Sequence, residues 1–443
     1  MNIDTETIRH AVQPLNGSPA DYDGLLELCA NARVVLIGEA THGTHEFYSI
    51  RCAATVRLLS ELGFHGVAIE ADWPDTWRLN RFVKGVDEHE TASDALAGFR
   101  RFPQWMWRNS DILDFAGWML DHNSRFAGAS SKRGIYGLDI YSLNESMKAV
   151  IDYLTHKDPA AAREFSHRYA CFDHFGGDVR KYGLFTGTGA AQGCENEVVG
   201  ALAELRRSRA SYLAMDGHAA EEDFFQAERN ANVVADAEKY YRTMLRGDVQ
   251  SWNLRDRHMV DTLLALMDHL DRIHEKSRLV IWAHNSHVGN AQATEMSKRG
   301  EFNIGQLCRE RFGNEAVLIG FTTYAGTVTA ASQWDGPAEH MELRPALPQS
   351  IESVFHHSEI PSFWLDFKSQ PAIANMLREP VLERAVGVIY SPETERRSHY
   401  FKASVPDQFD AVFHIDTTRA VEPLERTALW QPGELEETYP TGL

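Results

Sequence analysis

The sequence predicts an α/β protein with a mostly parallel central sheet flanked by helices, and a large inserted helical region forming a cleft over the carboxyl ends of the strands. Three observations carry that prediction. Short apolar runs alternate with amphipathic stretches along most of the chain, the pattern of strands joined by helical crossovers. Several of those runs end in a carboxylate or a histidine, and parallel sheets collect their chemistry outside the carboxyl ends of their strands. Residues 145–275, between the early and late runs, carry little strand signal and read as helices.

Taken in order, residues 1–20 are polar, carry Pro14 and Pro19, and read as a lead-in. A helix over residues 21–30 feeds the first strand at Val34 to Ile37. That strand opens into a turn carrying Glu39, Thr41, His42 and His45, with Gly38 and Gly43 on either side of the first histidine. The next segment, Glu46 to Leu62, repeats Ile50, Ala54, Leu58 and Leu62 at one-turn spacing, so Arg51 lies on a helix. A second strand at Gly66 to Ile69 ends at Glu70 and Asp72, and a third ends at Asp139. The region 75–122 is helical and aromatic, with Phe99, Phe102, Trp105, Trp107 and Trp118.

The inserted block reads as several helices, among them Glu195 to Met215, Phe224 to Arg246 and Asp256 to His274. Strands resume at Leu279 to Trp282, which runs into His284 and His287, and continue through EAVLIGFTTYAG, SFWLDF, RAVGVIYSP and DAVFHID. The expected organisation is therefore residues 21–144 and 276–420 as two parts of one α/β core, 145–275 as the insertion, and 421–443 as a loosely ordered tail. No repeat is visible.

Composition narrows the class. With 443 residues, 43% of them hydrophobic, the chain can bury a large core. The net charge of −19 argues against nucleic-acid and anionic-membrane partners. The N-terminus shows no signal-peptide pattern, and no run of about 18 apolar residues occurs. Cys29, Cys52, Cys171, Cys194 and Cys308 are an odd, scattered set without CxxC spacing, so the expectation is free thiols and a reducing cytoplasm. Oligomeric state is not readable.

Strand ends bearing Glu39 and His42, Glu70, Asp139, and His284 with His287 would form one polar pocket if they meet at one face. Histidine is the natural general base near neutral pH. Glu39 or Glu70 could fix its tautomer by accepting from its second nitrogen. Arg51 could hold a substrate oxyanion or steady the glutamates, and His284 and His287 could orient water or donate to a leaving oxygen. Such a set suits water attack on a carbonyl without a covalent intermediate, and the G-x-S-x-G elbow is absent. The bland readings stand beside it: Asp139 as a helix cap, His42 as a satisfied core histidine, His45 as the start of a helix. A divalent metal held by the same histidines and glutamates is the competing chemistry, although H-E-x-x-H is missing. In WNLRD, Asn253 reads as a helix cap with Arg255 and Asp256 in the first turn, and Arg255 as a holder of a site carboxylate or a substrate oxygen. The glycines from Gly183 to Gly193 read as a loop between helices, and RRSHYF as a surface turn or strand edge.

GEATHG with Glu39 and His42, Arg51 nine residues on, IEAD with Glu70, WNLRD, and HNSH with His284 and His287 appear here in that order. This combination resembles the erythromycin esterase family, which includes succinoglycan-biosynthesis-like proteins, over roughly residues 25–420. The resemblance implies an α/β core with a helical part around a deep cleft, and hydrolysis of a macrolactone ester. It places the water-activating base at His42, with Glu39, Glu70, Arg51, His284 and His287 completing the motif. On this reading the partner is a small-molecule ester or lactone, with no cofactor and no assigned metal. Trp105, Tyr324, Asp139 and Arg255 are the expected substrate-side residues. A metal-dependent hydrolase and a non-catalytic accessory protein remain the alternatives.

Overall fold

The computed structural model describes residues 5–86, 91–214, 217–244 and 247–430. The strands are β1 (Gln13–Pro14), β2 (Val34–Ile37), β3 (Gly66–Asp72), β4 (Gly134–Asp139), β5 (Leu279–Trp282), β6 (Ala316–Ala330), β7 (Glu339–Leu343), β8 (Ser362–Asp366), β9 (Val381–Arg384), β10 (Tyr400–Ala403) and β11 (Ala411–Thr418). Nine of them form one sheet in the order β1-β8-β11-β6-β2-β5-β3-β4, with β7 paired to β6. The six strands from β11 to β4 run parallel, while β1, β7 and β8 are antiparallel additions. β9 and β10 pair separately.

Both faces of the parallel strands are covered, which is why they read as unbroken apolar runs. Val35, Ile37, Val67, Ile69, Val280 and Trp282 pack toward helices His45–Glu61 and Ser110–Asn123. Val34, Leu36, Ala68, Leu279 and Ile281 pack toward helix Asp248–Leu270. Between β4 and β5 the chain is helical, and its helices share a core of their own that includes Val150, Phe165, Tyr182, Val198, Phe224 and Val234. Among the described residues no helix is long and apolar enough to cross a membrane.

Register brings the polar strand ends to one level. Trp282 is opposite both Ile37 and Ile69, so β2 and β5 end level with Ile69 of β3. Glu39 and His284 stand two residues beyond that level and Glu70 one. A register shift in β3 between Ile69 and Asp72 then places Asp72 opposite Asp139 of β4.

Several expectations need correction. RAVGVIYSP is not a strand beyond its first residue: β9 ends at Arg384, and Val386 and Ile389 make only isolated bridges. The Val386 N–H is spent instead on the Ala40 carbonyl, as this segment crosses the strand ends. The helix holding Arg255 begins at Asp248, so Asn253 is no cap; its side chain reaches the Gly300 carbonyl and the Phe302 N–H. Gly183 to Gly187 belong to helix Val179–Gly187 rather than a loop, Gly183 being where the backbone of Tyr241 crosses closely. RRSHYF agrees with the turn-and-strand-edge reading: it spans a helical turn and the start of β10, one strand of the separate pair. Residues 421–430 are tied down: Val421 N–H donates to Gly43 and Trp430 Nε1 to Thr329 Oγ1. The expected helix ends at Met215 and Arg246, and residues 431–443 of the tail, lie outside the described residues. Cys171 and Cys194 form a disulfide, which sequence spacing did not suggest and which removes the cysteine argument for a reducing compartment; Cys29, Cys52 and Cys308 are free.

The turn after β2 depends on a missing side chain. A Cβ on Gly43 would sit 1.7 Å from the Thr329 carbonyl oxygen, because the turn hydrogen-bonds directly to β6 and to Val421. Gly43→Ala is therefore expected to lower the melting temperature, since the strand and the turn must separate. Gly117, inside helix Ser110–Asn123 with open space around its Cβ position, is the matched control. Gly117→Ala is expected to stabilise by about 0.5–1 kcal/mol, read by denaturant unfolding.

Candidate active site

A cavity of about 360 Å³ opens over the ends of β2, β3, β4 and β5. His42, Glu70, Asp139, Arg255, His284 and His287 all line it. Glu39 and Arg51 do not; they stand behind His42. The buried Glu39 carboxylate takes His42 Nδ1 at 2.8 Å on one oxygen, while Arg51 Nη2 lies 2.9 Å from the other. Arg51 is fully buried, with its guanidinium 4.7 Å from the Tyr48 ring and 5.0 Å from the Trp282 ring. It cannot reach a substrate oxygen, so of its two expected roles only the steadying of a glutamate remains. The Tyr48 hydroxyl donates to the His42 carbonyl and fixes the turn from below. With Nδ1 engaged, Nε2 is the nitrogen His42 presents to the cavity.

His284 sits beside it, the ring centroids 4.8 Å apart. Its Nδ1 caps a short helix by accepting from the Ser286 N–H, and the Ser286 hydroxyl is 2.9 Å away. Burial, with His42 adjacent, pushes its pKa down to about 3, so the ring is neutral and its proton is on Nε2. That nitrogen is buried and makes no hydrogen bond, although the Ala40 carbonyl is near enough to favour the proton. The two histidines therefore carry opposite tautomers: His42 offers a lone pair and His284 an N–H.

The other half of the site is an ion network. Arg255 reaches Asp139 through Nε at 2.9 Å and Nη2 at 2.7 Å, and Glu70 through Nη2 at 2.7 Å. The second Glu70 oxygen accepts the His284 N–H at 2.9 Å. Against the cost of burial, His287, Arg255 and His42 hold Glu70 well below the ordinary carboxylate range. Burial works against charge on His287 too, but Asp256 and Glu70 raise its pKa. Asp256 accepts from His287 Nδ1 at 2.9 Å, and Trp252 stacks on the imidazole at 4.4 Å.

Trp105 and Tyr324 are placed elsewhere. Trp105 is buried edge-on against Phe102 and off the cavity wall, which Met106 and Trp107 form instead. Tyr324 stacks on His356 at 3.7 Å, outside the cavity. His45 pairs with Asp111 at the start of its helix, so the structural reading holds for it. Sequence reasoning gave no role to Tyr141, Asp75, Arg101 or Trp334, all of which line the cavity. It also missed Glu383, whose carboxyl accepts from the Asn285 amide behind the HNSH turn. Among the described residues no three His, Cys, Asp or Glu side chains converge in a metal-holding arrangement.

Two outcomes follow from the charges. Arg255→Leu leaves Glu70 and Asp139 buried without their shared cation, and is expected to cost about 3–5 kcal/mol at neutral pH. Because both carboxyl groups are held below their ordinary range, their contribution is present above about pH 4 and lost as the pH falls through their folded values. Denaturant melts at several pH values should therefore show the deficit of the variant shrinking on acidification. Glu383 behaves oppositely. Burial, with Glu352 beside it, holds it well above the carboxylate range, so it withdraws stability as pH rises above about 4. Glu383→Gln, which mimics the protonated group, should raise the melting temperature at pH 8 by a few degrees and leave it unchanged near pH 4.

Comparison with known proteins gives consistent results. The Erythromycin esterase family model matches residues 59–418. A Bacillus subtilis (strain 168) protein, YbfO, is 23% identical over 385 residues, covering 81% of this chain and 80% of its own. Erythromycin esterase type II of Escherichia coli is 21% identical over 449 residues, covering 94% and 97%. A crystal structure of a Bacillus cereus protein superposes with a TM-score of 0.78 at 21% identity, covering 95% of this chain and 98% of that one. That likeness shows a shared fold.

Proposed function

The chain belongs to the erythromycin esterase family, and from that premise we propose that this hydrolase cleaves carboxylic esters, macrolactones among them, by attack of water activated at His42. The observation that carries the reading is the Arg51–Glu39–His42 line: a buried cation steadies a buried carboxylate, which holds Nδ1–H and leaves Nε2 facing the cavity.

His42 Nε2 takes a proton from water as the water oxygen attacks the carbonyl carbon. The carbonyl π-electrons move to oxygen, and the resulting oxyanion takes as donor the Nε2–H of His284, which in the resting site has only the Ala40 carbonyl near it. Collapse of the tetrahedral intermediate restores the carbonyl and expels the alkoxide, which receives the proton from His42. Atoms and charge balance without an enzyme-bound acyl group. Imidazolium formed at His42 is stabilised by Glu39 and by Glu70, which stays ionised throughout. His287 and Arg255 keep Glu70 in place rather than reacting themselves.

The test is turnover of a panel of simple esters and a 14-membered macrolide by the full chain, before and after chelator treatment. Hydrolysis should survive chelation. His42→Ala should lower it by about 10²- to 10⁴-fold and His284→Ala by about 10²- to 10³-fold in kcat. Turnover unchanged in His42→Ala contradicts the mechanism, and activity that appears only with added divalent metal contradicts the metal-free assignment.

A further inference from the structure

Among the described residues, Glu39, Glu70, Asp139 and Asp72 each have an arginine beside them. Arg51 offsets Glu39, Arg255 serves Glu70 and Asp139, and Arg101 donates to Asp72 at 2.8 Å. The Tyr141 ring lies 5.0 Å from the Arg255 guanidinium and 4.6 Å from that of Arg101, so the two arginines follow one wall of the cavity. Asp75, in the first turn of helix Trp73–Val83, lines the same cavity. Among the described residues its side chain has neither a hydrogen bond nor an ion pair. Its charged neighbours are Asp72, Glu145, Arg101 and Arg100, and the effect of the two carboxylates outweighs that of the arginines. The same cavity is lined by Phe99, Phe102, Trp107 and Trp334, and Phe102 packs against Trp334 at 5.1 Å.

A half-buried carboxylate without a hydrogen bond or ion pair, in a cavity also lined by Phe99, Phe102, Trp107 and Trp334, has the composition of a pocket for an organic cation. We propose that Asp75 and the aromatic residues of the same cavity form a cation subsite, and that the ester substrates of this enzyme carry an ammonium group that binds there while the carbonyl lies at His42 and His284. The proposal rests on the hydrolase reading and adds to it the substrate class. Burial, Asp72 and Glu145 push the Asp75 carboxyl up to about 7, so it is mostly ionised only above neutral pH, and a cation bound beside it would favour the ionised form.

The test compares butyrylcholine with 3,3-dimethylbutyl butyrate, in which a tert-butyl group replaces the trimethylammonium. The readout is the ratio of their kcat/KM values, because any general effect on the hydrolytic step cancels in a ratio. For the full chain the ratio should be about tenfold or more in favour of the cation. It should rise with pH through the Asp75 titration, while Asp75→Asn should bring it near one at every pH and Asp75→Glu should retain part of it. A ratio near one in the unaltered chain, or one undiminished in a folded Asp75→Asn variant, overturns the subsite. Calorimetric titration with tetramethylammonium separates the two claims. Binding lost in Asp75→Asn but kept in His42→Ala, in a chain that hydrolyses neither ester, supports the subsite while removing the hydrolase reading. Absence of both binding and a turnover ratio overturns the subsite.

Discussion

The contact between Arg51 and Glu39 is the interaction on which the rest of the site depends. Both groups are buried, and a lone ion there would be costly enough to change its protonation or disrupt the fold. Their closeness is a charge contact rather than an aligned hydrogen bond, and the rings of Tyr48 and Trp282 supply the remaining stabilisation of the guanidinium. Glu39 then serves two turns at once. Its side chain orients His42, and its carbonyl accepts the Asn285 N–H at 2.8 Å, joining the turn after β2 to the turn after β5. The separation between His42 and His284 follows from that double duty and from the level register of the two strands.

A second consequence is chemical contrast between neighbours. His42 has a carboxylate behind it, whereas His284 has a hydroxyl and a backbone N–H, so the same side chain becomes an acceptor in one place and a donor in the other. Pairs of titratable groups driven apart by their surroundings are how one cleft can supply both base and donor. The Arg255 network provides the rigid background. It keeps Glu70 ionised close to the point where positive charge develops, and Asp256 and Trp252 lock His287 from behind.

Much of this was legible in the chain because parallel strands announce themselves as apolar runs, and because each run here ends in chemistry. Glu39, His42, Glu70, Asp139, His284 and His287 could be placed together from that rhythm alone, Arg51 followed from its place about two turns into the next helix, and the family resemblance tied the set together. What could not be read were contacts set by distance along the chain. Asp75 looks like an ordinary acidic residue at a helix start, and only its burial beside Asp72 and Glu145, in a cavity shared with Phe99 and Trp334, makes it unusual. Trp105 and Trp107 are two residues apart in a bent segment, so sequence could not say which of them faces the cavity. The apolar RAVGVIYSP segment misled because its backbone is used for isolated bridges across strand ends. Cys171 and Cys194 meet only through the packing of the helical layer.

The central claim is that His42 and His284 hold opposite tautomers, and nitrogen-15 NMR of histidine-labelled protein reads this directly. Long-range proton–nitrogen correlations should show neutral His42 protonated on Nδ1, with Nε2 a bare acceptor, and His284 protonated on Nε2. Finding His42 with its proton on Nε2, or His284 with its proton on Nδ1, would contradict the account, because the base would lack its lone pair or the oxyanion its donor.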